Sequence, residues 1–207
     1  MSQSSSLRQY TRSAAAVRTR RVALATLFVA LGVALSPFGV PVLGARVFPV
    51  QSLLNVLGAA YLGPLYAVLV ALMVSIIRNA TGLGTPLAYA GSMIGALLAA
   101  FGFRIVTRAI RPSLPTQDRS RWILLAAFAA AFGELVGTGL IGSVVDGALI
   151  APAVFHHALA ATIFIAPFAG AALVGGIAGV VAVVALGRAG IAPDTHGPEP
   201  GTEETHP

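Results

Sequence analysis

The sequence predicts an all-α integral membrane protein of six transmembrane helices with both termini cytoplasmic. Three observations lead there. Hydrophobic residues make up 57% of the chain and charged residues only 10%, less than half the roughly 25% of a soluble domain. Apolar runs at 22–35, 53–77, 87–103, 122–133 and 158–187 carry almost no charge, and runs approaching ~20 residues read as membrane spans. The arginines gather at the ends of these runs, so membrane topology explains the formal net charge of +6 better than nucleic-acid binding does.

Each element follows from breaks and charge placement. Residues 1–21 form a basic segment expected in the cytoplasm, carrying Arg8, Arg12, Arg18, Arg20 and Arg21. The run after it is not read as a cleaved leader, because no A-x-A site precedes a mature domain and further apolar runs follow. A second cluster, Arg104, Arg108, Arg111, Arg119 and Arg121, surrounds "RPSLPTQDRSR". Under the positive-inside rule both clusters face the cytoplasm, so an even number of crossings separates them. The first span is 22–40 and the last before the second cluster is 87–107, so 48–79 must cross twice. The break is "LGP" at 62–64: Pro64 ends one helix and suits the first position of the next. Each half is then about 16 residues, below the ~17–25 of a full span, which bilayer thinning or burial against neighbours absorbs.

Spans at 121–143 and 158–187 follow, with Trp122 expected as an interfacial anchor beside Arg121 and Pro167 as a kink. The stretch 144–157 either loops or dips back into the membrane. The membrane domain is thus 22–188. Residues 189–207, rich in Pro and acid, are expected to be disordered. Cysteine is absent, which excludes disulfide and thiolate chemistry.

Against this background the polar residues inside the spans stand out. Arg46 and Arg78 are the two arginines that fall on the outer side, so topology does not explain them. Glu134 lies midway along the fifth span with no cation within a helical turn. A carboxylate at bilayer depth costs ~2.5–3.5 kcal/mol on insertion scales, so it faces a cavity or a partner. Three readings stay open: an ion pair with Arg78, a protonated acid bonded to a carbonyl, or contact with a ligand, which can coexist with either. Gln51 and Asn55, at i and i+4, share a helix face and read either as a polar lining or as interhelical hydrogen bonds.

"GTGLIG" at 137–142 matches a dinucleotide fingerprint but lies within an apolar run, without the preceding strand such a site needs. The spacings Gly91/Gly95, Gly133/Gly137 and Gly175/Gly179 predict close helix packing instead. Ala30/Ala34 share that spacing and face inward or toward a partner helix. Asp146, His156 and His157 do not complete a metal-ligand pattern, and no motif calls for a cofactor.

Taken together, FPVQ at 48–51, Asn55, LGP at 62–64, RN at 78–79, GSMIGALLA at 91–99 and "GE…GTG" at 133–139 resemble the ThiW family, over about 22–187. That resemblance implies a substrate-capture (S) component of an energy-coupling factor transporter, folded as a six-helix bundle that binds a thiamine precursor near the outer face. The loop at 37–50 is then expected to help close the site. It further implies association with a transmembrane coupling subunit and two ATPase subunits, since this chain carries no Walker motif.

The expected ligand is small, aromatic and nearly neutral with a hydroxyl, the thiazole precursor of thiamine. Glu134, Asn79, Gln51, Asn55 and Thr138 are the expected hydrogen-bonding groups, with Phe48 and Tyr89 as stacking surfaces. Arg78 is expected to hold Glu134 ionised or to orient Asn79. The family pattern commonly has histidine after the FPVQ glutamine, where this chain has Ser52. Two other readings compete: a self-sufficient proton-coupled transporter using Glu134 or Asp146, and an intramembrane enzyme using Asp146, His156 and His157.

Overall fold

The computed structural model describes residues 2–42, 45–111, 119–156 and 162–193. It is helical throughout except for one small hairpin. Helix α1 (Ser2–Ala34) starts well before the apolar run, so the basic segment continues the helix across the 21/22 boundary. A turn at Ser36–Phe38 leads into an antiparallel pair, β1 (Val40–Val42) and β2 (Ala45–Val47), in register Val40 opposite Val47. Within the loop expected at 37–50 the described residues thus form a strand pair, and its second strand leads to Phe48 at the start of α2 (Pro49–Tyr61).

The break at 62–64 falls where the sequence places it. The Leu62 and Gly63 N–H groups both donate to the Gly58 carbonyl, at 2.9 and 3.0 Å. Gly63 then takes φ 77°, a left-handed value that only glycine adopts freely, and Pro64 opens α3 (Pro64–Ala80). The short length of α2 has a structural answer. Nearly all its residues from Gln51 to Tyr61 are buried, because α1, α3, α4 (Ala88–Ile110), α5 (Arg119–Glu134) and α8 (Thr162–Arg188) surround it. A helix enclosed by protein has no bilayer thickness to match.

α5 does not stop near residue 143. It continues through a π-helical stretch, Leu135–Gly142, then α6 (Ser143–Val145), a second π stretch, Asp146–Ile150, and α7 (Ala151–Phe155). The segment 144–157 is thus no re-entrant loop as far as Phe155. Among the described residues three helices are long and apolar enough to cross a membrane: Ala88–Ile110, Ser120–Val154 and Thr162–Arg188. α3 is apolar but shorter.

Large apolar side chains on the outside recur at helical spacing, as in Leu65, Leu69, Met73 and Ile76 on α3 and Leu97, Phe101 and Ile105 on α4. In water such stripes would be a liability; against lipid they are the expected surface. Trp122 departs from expectation, lying inside the core cluster with Phe103, Ile123 and Val183 rather than at an interface.

The glycine spacings do what packing requires. A Cβ on Gly137 would come within 2.6 Å of Gly95 Cα, and one on Gly175 would overlap the Pro49 carbonyl oxygen. Backbones at that separation tolerate no side chain, which explains why small residues line these seams. The "GTGLIG" stretch is one such seam, in helix. The tail at 194–207 and His157 lie outside the described residues.

Candidate ligand-binding site

The hairpin, the start of α2, the end of α3, the start of α4 and the π-helical stretches meet around a cleft of about 400 Å³, its open mouth included. The hairpin contributes Arg46 and Val47 and sets Phe48 beside them; α2 adds Gln51 and Ser52, and α3 adds Arg78. Across from these stand Gly91 and Ser92 of α4, Thr138 and Asp146 of the π stretches, and Phe168 of α8.

Behind this wall lies a closed hydrogen-bond relay. The Gln51 amide donates to Asn55 Oδ1 at 3.3 Å. Asn55 Nδ2 donates to Glu134 Oε2 at 3.0 Å and also reaches the Ser92 carbonyl at 3.2 Å. Thr138 Oγ1 lies 2.9 Å from Glu134 Oε1 and 3.0 Å from the Gly91 carbonyl; its single proton serves one of them at a time. Glu134 is completely buried with both oxygens engaged, and Gly95 makes the space, since a Cβ there would overlap Glu134 Oε2 and Thr138 Oγ1.

The expected bridge from Arg78 to Glu134 is not made. Arg78 is 1% exposed, and its guanidinium carbon sits 4.0 Å from the centroid of the Phe48 ring, an arrangement in which a cation is attracted to the aromatic face. The Arg78 Nε and Nη2 groups have no hydrogen-bond partner. Asp146 is fully buried, and both of its carboxylate oxygens also lack partners, as does Gln51 Oε1.

Asp146 reaches the cleft because the helix is not purely α there. At about 100° per residue, a position twelve residues beyond Glu134 would lie about 120° round the helix from it. Thr138, four residues on, shares the Glu134 face in any case; the π stretches, bonded i to i+5, turn less per residue and bring Asp146 back toward α4. A Cβ on Gly91 would stand 3.7 Å from Thr138 Cγ2 and 3.9 Å from Asp146 Oδ2.

The site residues expected from sequence therefore divide into three groups. Phe48, Gln51, Arg78 and Thr138 line the cleft. Asn55 and Glu134 form the relay behind it. Asn79 and Tyr89 stand apart from the lining and bond to each other, Asn79 Nδ2 to the Tyr89 hydroxyl at 3.3 Å. Ser52, Ser92, Asp146 and Phe168 line the cleft without having been assigned to the site. Periodicity at 3.6 residues hides Asp146; the π stretches have no such sequence signature. His156 is exposed, in the left-handed region with φ 60°. Among the described residues no three His, Cys, Asp or Glu side chains gather as a metal site would require.

A helical bundle with lipid-compatible flanks and a small, partly polar cleft at one end is the architecture of a membrane protein that handles a small molecule. The chain belongs to the ThiW family, described as thiamine-precursor transporter protein, whose model matches residues 22–189. No curated protein and no solved structure matches it.

Proposed function

We propose that this chain is the substrate-capturing membrane subunit of an energy-coupling factor importer in the plasma membrane, taking up the hydroxyethyl thiazole precursor of thiamine. One observation carries the reading: the cleft and the arginine clusters lie at opposite ends of the same helices. α1 is basic in its first half and ends at the hairpin, whereas α4 begins at the cleft and carries Arg104 and Arg108 near its far end. α8 passes the cleft at Phe168 and ends at Arg188. With arginines inside, the cleft opens outward, as a capture site must. Six crossings with both termini cytoplasmic satisfy this arrangement.

The cleft's chemistry agrees with the ligand. An aromatic and apolar wall with a few convergent polar groups suits a small neutral heterocycle. On α1, Ala30 and Ala34 lie on the exposed side with Leu27 and Leu31, a small-residue face on which a coupling subunit's helix can pack closely. ATP hydrolysis belongs to two partner ATPase subunits.

The test is reconstitution. Purified protein alone should bind the labelled thiazole alcohol but accumulate none in vesicles. Uptake should appear once the coupling subunit and ATPases are added with ATP. Proton-driven uptake by the lone chain would instead make it a self-sufficient secondary transporter.

A further inference from the structure

We propose that Asp146 and Arg78 form a two-ended clamp for the ligand: Asp146 accepts a hydrogen bond from its hydroxyl, and Arg78 donates to an acceptor atom of its ring. This rests on the proposed uptake of a thiamine precursor and names the groups that recognise it.

Buried polar side chains in folded proteins are nearly always satisfied. In this bundle Glu134, Asn55 and Thr138 are satisfied within a few ångströms of the cleft, so the fold supplies partners here where stability needs them. Asp146 and Arg78 are as deeply buried, yet neither carboxylate oxygen and neither Nε nor Nη2 has one. Both side chains line the same cleft, and they make no contact with each other. One offers only donors and the other, as a carboxylate, only acceptors.

The rest of the lining is mixed: Val47, Phe48, Leu87 and Phe168 supply apolar and aromatic surface, and Arg46, Gln51, Ser52, Ser92 and Thr138 supply polar groups. A hydroxyl donor and a ring acceptor on a compact aromatic body satisfy both ends and fit the apolar surface. A simple anion would engage Arg78 and meet repulsion at Asp146; a simple cation would do the reverse. The π-helical stretches fit this role, since they turn Asp146 into the cleft, and π-helical turns are frequent at functional sites.

The experiment is calorimetric titration of the full chain in detergent with two probes, the hydroxyethyl thiazole and its ethyl analogue, which lacks only the hydroxyl. A hydrogen bond to a charged group corresponds to about tenfold to a hundredfold in affinity. Wild type should prefer the alcohol by that factor, and Asp146→Leu should abolish the preference. Arg78→Met should weaken both probes by a similar factor, because the ring acceptor is common to them.

Equal binding of the two probes by wild type overturns the clamp without needing any variant to fold. So does an Asp146→Leu protein that keeps the preference, the result expected if water alone occupies that end. If wild type binds neither thiazole, the thiazole assignment fails, and the aminopyrimidine alcohol and its deoxy analogue are titrated in the same way. A hydroxyl preference lost in Asp146→Leu then supports the clamp for the other precursor. Binding of neither pair overturns both proposals.

Discussion

Two polar groups of side chains sit side by side at one end of this bundle and are built in opposite ways. The relay of Asn55, Glu134 and Thr138 is closed: each Glu134 oxygen receives a donor, and the bonds tie α2 and α4 to the fifth helix; Gln51 donates into it while its own Oε1 stays unmatched. The cleft pair, Arg78 and Asp146, is open: equally buried, with hydrogen-bonding atoms unmatched. The difference separates two uses of polarity inside a membrane. A satisfied network fixes how helices meet, because breaking it leaves orphaned groups. An unsatisfied one is held in reserve, and the fold tolerates its cost because something else will occupy it.

The two classes should respond to mutation with opposite signs. The largest effect is expected from Glu134→Ala. It leaves one Asn55 N–H unmet, since Asn55 keeps only the Ser92 carbonyl and the Thr138 hydroxyl turns to the Gly91 carbonyl; an unmet group costs about 1–3 kcal/mol and the cavity adds to it, so stability should fall by roughly 3–4 kcal/mol. Thermal unfolding in detergent reads this directly. A variant as stable as wild type would mean that the relay does not hold the helices together.

Asp146→Leu should do the reverse, raising stability by about 1–3 kcal/mol because it removes buried acceptors that have no partner. A marked loss of stability would show that Asp146 is already paired within the fold. Phe48→Leu should be milder. It keeps the apolar volume but removes the ring beneath Arg78, a contact worth about 0.5–2 kcal/mol; thermal melts should register it, with a parallel loss of affinity if the ring also faces ligand. The smallest effect is expected from Tyr89→Phe. The Asn79–Tyr89 bond is only partly buried and lies away from the cleft lining, so about 0.5–1 kcal/mol of stability and no affinity should be lost. A tenfold loss of affinity would bring Asn79 and Tyr89 into the site.

Much of the framework was legible in the sequence because it depends on local chemistry. Gly63–Pro64 announced the tight turn between α2 and α3. Gly95, Gly137 and Gly175 announced close seams, and the shared face of Gln51 and Asn55 announced a polar lining or link; Gln51 lines the cleft and Asn55 links to Glu134. What stayed hidden depends on distances between helices. The position of Arg78 in sequence gave no means to choose between Glu134 and the face of Phe48, because that choice rests on where the hairpin sets Phe48. Asp146 was weighed only as part of an incomplete metal pattern or as a proton carrier, because nothing in the sequence marks the π stretches that bring it to the cleft. Trp122 beside Arg121 looked like an interfacial anchor, yet the start of α5 packs it inward against Phe103 and Val183.

The account is tested most directly by a structure of the chain with the hydroxyethyl thiazole bound. The ligand hydroxyl should lie within hydrogen-bond distance of an Asp146 oxygen and the ring acceptor within reach of Arg78. Glu134 should keep its bonds to Asn55 and Thr138. A ligand bonded to Glu134 in place of those partners, with Asp146 left untouched, would contradict the division between a closed relay and an open clamp.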